Sequence, residues 1–136
     1  MGLDITSPFH SHQYFFYIIL SMQYTMNHFH FSSIEGKEIT DHDSKQATIR
    51  RFMTKKEAPN FIMRRFDIGP GGRIGIHSHP HEHEIYILSG ELVLLHENNL
   101  ETFVNQDEFV FIPAEEPHGY ENRAKVPASF ICVIPK

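Results

Sequence analysis

Between positions 77 and 84 the chain reads His77-Ser78-His79-Pro80-His81-Glu82-His83-Glu84, which places four imidazoles and two carboxylates within eight residues. Imidazole is the commonest side-chain ligand for d-block divalent ions, so this stretch carries the donors for a metal centre. Residues two apart on a strand point to the same face, which lets His77 and His79 aim at one point. Pro80 donates nothing to a sheet ladder and favours a corner, after which the chain can return with His83 facing the first two rings. A fourth imidazole has to come from far along the chain, and His118 follows the Pro113–Pro117 loop in a suitable position. His77, His79, His83 and His118 are therefore the candidate ligands. Glu84 competes with His83 for the third place, but strand parity sends the two to opposite faces and favours His83. The choice has a physical consequence. Four neutral imidazoles leave a dication's charge intact and attractive to an anion, whereas a carboxylate would cancel one unit of it.

These side chains need a rigid frame, and the surrounding sequence reads as short strands cut by turn signals. Ala47–Thr54 and Phe61–Ile68 are rich in β-branched and aromatic residues, with Ala58-Pro59-Asn60 between them. Gly69-Pro70-Gly71-Gly72 reads as a tight turn. Ile74–His79, His83–Leu88, Glu91–Glu97, Leu100–Val104, Glu108–Ile112 and Ser129–Ile134 follow as strands. Many short strands without helical periodicity predict a barrel or sandwich. On such a frame His81, Glu82 and Glu84 are either partners that orient ligand rings or solvated loop residues. Arg65 and Tyr86 are expected either at the mouth of the barrel or in ordinary packing.

The chain has 136 residues, room for one domain, and a formal net charge of −5. That charge argues against a nucleic-acid partner. Cys132 is the one cysteine, so no intrachain disulfide forms. Of the eleven histidines, His42 and His96 read as surface or satisfied core residues. His10-Ser11-His12 and His28-Phe29-His30 repeat the His-x-His spacing but lack the flanking turns. The first 36 residues contain no Lys or Arg, while all twelve fall in the remainder, which marks residues 1–46 as an N-terminal extension. Its apolar run Tyr14–Leu20 is too short to cross a bilayer, and its early charge, Asp4, does not suit a secretory signal. The extension is expected to be partly strand or disordered and to take no part in the chemistry, with Met22 and Met26 as alternative starts.

The motif spacing resembles the cupin family. Gly71, five residues, His77-x-His79 and then Gly90 is similar to the first cupin motif, and Asp107, five residues, Pro113, His118, three residues and Asn122 to the second. Asp107 and Glu115 stand where that motif usually has glycine. Counting back from Gly90 with the usual six-residue spacer reaches His83, where the general family has glutamate. Ala58-Pro59-Asn60-Phe61, Met63-Arg64 and Cys132-Val133-Ile134-Pro135-Lys136 resemble short prokaryotic members with an all-histidine site. The resemblance covers residues 47–136. It implies an all-β, single-domain barrel of the double-stranded β-helix or jelly-roll type.

It also implies one divalent ion, manganese or iron, with zinc, nickel or copper as alternatives, and two coordination positions open to substrate. Three functions follow as expectations. The first is a dioxygenase-like, metal-dependent oxidoreductase on a small organic molecule. The second is a non-redox isomerase or tautomerase acting on a sugar acid, and the third a binding protein without catalysis. A cytoplasmic homodimer with no membrane partner completes the expectation.

Overall fold

The computed structural model describes residues 26–136. The apolar run Tyr14–Leu20 and the pair His10 and His12 lie outside the described residues. A short 3-10 turn, Phe31–Ser33, leads into nine strands: β1 Lys37–Glu38, β2 Lys45–Arg51, β3 Phe61–His77, β4 His83–Ser89, β5 Glu91–His96, β6 Glu101–Asn105, β7 Phe109–Ile112, β8 His118–Glu121 and β9 Ala128–Pro135. The main path of the sheet runs β6-β5-β8-β3-β9-β4-β7, with β2 also on β3 and β1 on β2. Every pairing is antiparallel. The fold is the expected all-β barrel of the cupin type.

The main departure from the sequence reading concerns Gly69-Pro70-Gly71-Gly72. A chain reversal is expected there, yet one 17-residue strand runs through it. Before the glycines β3 pairs with β9, from Phe61↔Pro135 to Ile68↔Ala128; after them it pairs with β8, from Arg73↔Glu121 to His77↔His118. The segment is thus a corner at which one strand changes neighbours. Gly71 takes φ +72, and the corner is closed by Gly71 N–H donating to the Asn122 carbonyl and Asn122 N–H to the Gly72 carbonyl, both at 2.9 Å. β8 escapes the sequence reading because four residues with a glycine in the middle carry little strand signal. The expected domain boundary at residue 47 falls inside β2, which begins at Lys45.

Alternation decides what faces inward. On β4 His83, Ile85 and Ile87 are buried and the residues between them are not. On β9 the inward set is Ala128, Phe130, Cys132 and Ile134. Register stacks these into layers: Ile68 against Ala128, then Phe66, Phe130 and Ile87, then Arg64, Cys132 and Ile85. The Phe66 and Phe130 rings stack at 4.8 Å between centroids. Each fully buried Ile, Leu or Phe side chain stabilises the barrel by about 1.5–3 kcal/mol before entropy is counted. The apolar layers close one part of the interior and leave the histidines at the other.

Candidate metal centre

β3 ends on His77, β4 starts on His83, and β8 starts on His118; His79 lies in the connection between β3 and β4. His77 and His118 are direct cross-strand partners. The four rings form a closed circuit, with centroid distances of 4.7 Å for His77–His79, 4.9 Å for His79–His83, 5.0 Å for His83–His118 and 4.6 Å for His118–His77. One candidate donor atom each from His77, His79 and His118 lie within 4.8 Å of one another, and so do those of His79, His81 and His83. Donors held on one ion at about 2.0–2.1 Å stand up to about 4.2 Å apart, so both trios are near the spacing of a shared cation. His81 therefore approaches the cluster more closely than a solvated loop residue would. Glu84 is exposed on the opposite face from His83.

The local chain fixes which nitrogen each ring presents. His77 Nδ1 is 2.7 Å from the Gly75 carbonyl and His118 Nδ1 is 2.8 Å from the Glu116 carbonyl. A carbonyl only accepts, so both rings carry their proton on Nδ1 and keep a lone pair on Nε2. His83 Nδ1 lies 3.2 Å from Cys132 Sγ. In the tautomer that donates to sulfur, its Nε2 is likewise free. Nε2 of His83 and Nε2 of His118 are buried and have no hydrogen-bond partner. A buried lone pair without a donor is costly, and a cation shared by these rings would satisfy both atoms. The residues present therefore fit a divalent metal.

Electrostatics points the same way. Burial, followed by the charges of neighbouring histidines, holds His79 down at about 4. Burial and then the Arg64 guanidinium hold His83 down at about 3. His77 and His118 are also lowered, by burial first, against the opposing pull of the carbonyls they bond. Imidazoles that stay neutral keep the lone pair a metal needs.

A cavity of about 140 Å³ adjoins the cluster, lined by His77, His79, His83, Arg64 and Cys132 and walled by Ile49, Phe66, Ile74 and Tyr120. Residues preceding β2 complete the wall, since Ile39, Asp41 and His42 also line it. The His42 ring stacks on His77 at 4.3 Å, and the Gly75 N–H donates to the His42 carbonyl at 2.8 Å. Gly75 permits this approach; a Cβ there would sit 2.2 Å from that carbonyl oxygen. His42 is a surface residue as expected, but one that borders the site. His96, paired with Thr102 at 2.8 Å, is satisfied, and His30 bonds Ser32 away from the cavity.

Arg65 and Tyr86 do not line the mouth. Parity turns both outward, Arg65 onto Asp67 at 3.0 Å and Tyr86 onto Asp107 at 3.0 Å. The charged residues and the thiol that do line the cavity and were not singled out from sequence are Asp41, Arg51, Arg64 and Cys132. For Arg64 a signal existed: it shares the inward parity of Ile62, Phe66 and Ile68, where a charge is out of place.

Residues 64–134 match the family described as Cupin domain. The chain belongs to the cupin family. An oxalate-binding protein of Thermotoga maritima is 34% identical over 74 residues, 54% of this chain, and the match spans 60% of that relative's length. The structure of the polyketide cyclase RemF from Streptomyces resistomycificus superposes with a TM-score of 0.76 at 28% identity, covering 82% of this cupin and 80% of that chain. A predicted oxalate decarboxylase from Thermotoga maritima gives a TM-score of 0.70 at 26% identity, over 80% and 98% of the two chains. Among the described residues, no helix of this cupin is long and apolar enough to cross a membrane.

Proposed function

We propose that this cupin is a metal-dependent enzyme that holds one divalent ion on His77, His79, His83 and His118 and acts on a small organic substrate in the adjoining cavity. The observation that carries the reading is the pair of buried, unpartnered Nε2 atoms on His83 and His118. Manganese or iron is the proposed ion, with zinc, nickel and copper as alternatives, and a dioxygenase-like oxidation is the first reading. When bound, such an ion supplies Lewis acidity and one-electron chemistry. The chain's own part is to hold four imidazoles neutral and to orient three of them, His77 through Gly75, His118 through Glu116 and His83 through Cys132. Ile39, Ile49, Phe66 and Ile74 form the apolar wall of a small substrate space. Similarity to an oxalate-binding protein and to a predicted oxalate decarboxylase supports a small ligand.

A second, non-redox reading is favoured by one feature. The Asp41 and His42 side chains stand 3.4 Å apart beside His77, at the edge of the cavity, as a ready site for proton transfer. Similarity to a structure named a polyketide cyclase supports the same reading. Untagged protein loaded with iron or manganese, assayed for oxygen uptake with chelating acids, phenols, diketones and alkenes, separates the two. Oxygen-dependent turnover supports the first, and turnover that persists without oxygen supports the second. Tight ligand binding without turnover in either condition would make this cupin a binding protein.

We also propose a cytoplasmic homodimer, paired through the outer face of β3, β9, β4 and β7. Phe61, Met63, Phe109 and Phe111 are each exposed on those strands, and exposed large apolar side chains of this kind can serve an interface. Light scattering should give twice the chain mass for the wild type and a monomer for Phe109→Lys/Phe111→Lys; a wild-type monomer removes the proposal.

A further inference from the structure

The arginines of this chain are not treated alike. Arg50 and Arg65 share Asp67 at 3.0 Å each, Arg73 meets Asp43, and Arg123 bonds Glu101 and Glu121. Two arginines that line the cavity have no carboxylate of the described residues within ion-pair distance: Arg51, which is exposed, and Arg64, which projects into the barrel between buried Ile62 and Phe66. Arg64 Nη2 donates to Cys132 Sγ at 2.9 Å, a weak acceptor, and its guanidinium carbon stands 5.2 Å from the centre of the Phe66 ring. Its Nε is buried and bonded to nothing. The cavity it lines is the one bounded by His77, His79 and His83.

An inward cation without a counter-charge is expensive, and exposed arginines need carboxylates far less. The cost is higher if a dication sits on the histidines, because the imidazoles cancel none of its charge. Among the described residues Asp41 is the one acid that lines the cavity; it is 70% exposed and stands beside His42. The interior therefore lacks one negative group. A guanidinium presents a planar fork of donors that matches a carboxylate. A volume of about 140 Å³ admits an acid of few heavy atoms.

We infer that Arg64 receives the carboxylate of a small organic acid whose second oxygen function, a carboxylate, oxo or hydroxyl group, reaches toward the histidine cluster. The inference deepens the function proposed above and rests on it for the ion, while the assignment of Arg64 concerns this chain's own residue.

The test uses the full chain, loaded with manganese, and calorimetric titration with oxalate, the smallest dicarboxylate, with pyruvate and glycolate, and with imidazole, a neutral ligand for open metal positions. Metal content is measured before and after each titration. Arg64→Gln is expected to keep one metal per chain and to bind imidazole within about twofold of wild type. It should lose oxalate affinity about 30-fold or more, the effect of deleting one side of a buried charge pair. Arg64→Lys, which keeps the charge and loses the fork, should fall between them. Equal oxalate affinity in wild type and Arg64→Gln with metal in place would overturn the inference. So would a metal-loaded wild type that binds none of oxalate, pyruvate or glycolate. If Arg64→Gln does not fold, Arg64→Lys decides, since unchanged oxalate binding there removes the carboxylate fork. If the wild type takes up no metal, the proposed function fails. Arg64 is then judged on the metal-free protein, where oxalate binding must be present and weakened in Arg64→Lys.

Discussion

Two regions of the barrel bury polar side chains, and they do so on opposite terms. At the Gly-Pro-Gly-Gly corner Asn122 is completely buried, and every part of its amide is used. Nδ2 donates to the Ile68 and Val126 carbonyls at 2.9 Å each, and Oδ1 accepts from Ala124 N–H at 3.0 Å. At the histidine cluster His83 and His118 are nearly as buried, yet each keeps one nitrogen bonded to nothing. The first is a closed account that holds the corner to the loop before β9. The second is an open one. Buried polar groups in native proteins are satisfied as a rule, so the exceptions show where an external group belongs.

Removing Asn122 should give the largest effect on stability. Asn122→Ala leaves the buried Ile68 carbonyl and the part-buried Val126 carbonyl and Ala124 N–H without their partner, an expected cost of about 2–4 kcal/mol, read as a drop in the urea midpoint of metal-free protein. A cost below about 1 kcal/mol would show that the corner is not closed by this side chain.

The histidine side of the comparison predicts a gain that depends on metal. Manganese at about 100 times its dissociation constant should stabilise the wild type by about 2.7 kcal/mol. His83→Ala and His118→Ala should show metal contents well below one per chain and little of that gain. Glu84→Gln, altering an exposed carboxylate, should behave as wild type; loss of metal there would reverse the choice of third ligand.

Protons sharpen the contrast, because amides do not titrate and imidazoles do. In the metal-free protein His79 is held at about 4 and His83 at about 3, against 6.5 for the free side chain. Between pH 6.5 and 3 the unfolded chain binds protons that the folded rings refuse. Stability should therefore be full above pH 6.5 and fall steadily as pH is lowered toward 3. His83→Gln should flatten that slope, whereas Asn122→Ala should lower the curve without changing its shape. A wild-type curve flat across this range would contradict the burial of the rings.

The smallest expected effect lies in the loop that carries His118. Glu115 adopts φ +67 there, and Asp107, in the turn between β6 and β7, φ +68; both are left-handed conformations at positions where the resemblance to the family leads one to expect glycine. Glu115 N–H nevertheless donates to the His79 carbonyl at 2.7 Å, so this loop is tied to the histidine motif despite the strain. Glu115→Gly should relieve the strained backbone and stabilise the fold by about 1 kcal/mol. Asp107→Gly should gain less, because it also removes the acceptor of the Tyr86 hydroxyl. Thermal unfolding of the metal-free variants reads both.

What could be read from the sequence was whatever depends on neighbours along the chain. Alternation in His83-Glu84-Ile85-Tyr86-Ile87 places His83 inside and Glu84 outside; the same period predicts that His77 pairs with His79, but β3 ends on His77 and His79 reaches the cluster from the connection that follows. The prolines and glycines located most strand ends. Even so, the corner at Gly69–Gly72 looked like a reversal, since a bend within a strand and a turn between strands use the same residues.

Only the tertiary structure decided which distant residues meet. His118 lies opposite His77 because β8 pairs with the last part of β3, and Arg64 faces Cys132 because β9 pairs with the first part. Ile39, Asp41 and His42 wall the cavity because Gly75 lets the backbone of His42 come close. Strand periodicity is a local steric property of the backbone, whereas the order of strands is set by how the whole set of apolar faces closes on itself. No single stretch of sequence carries that information.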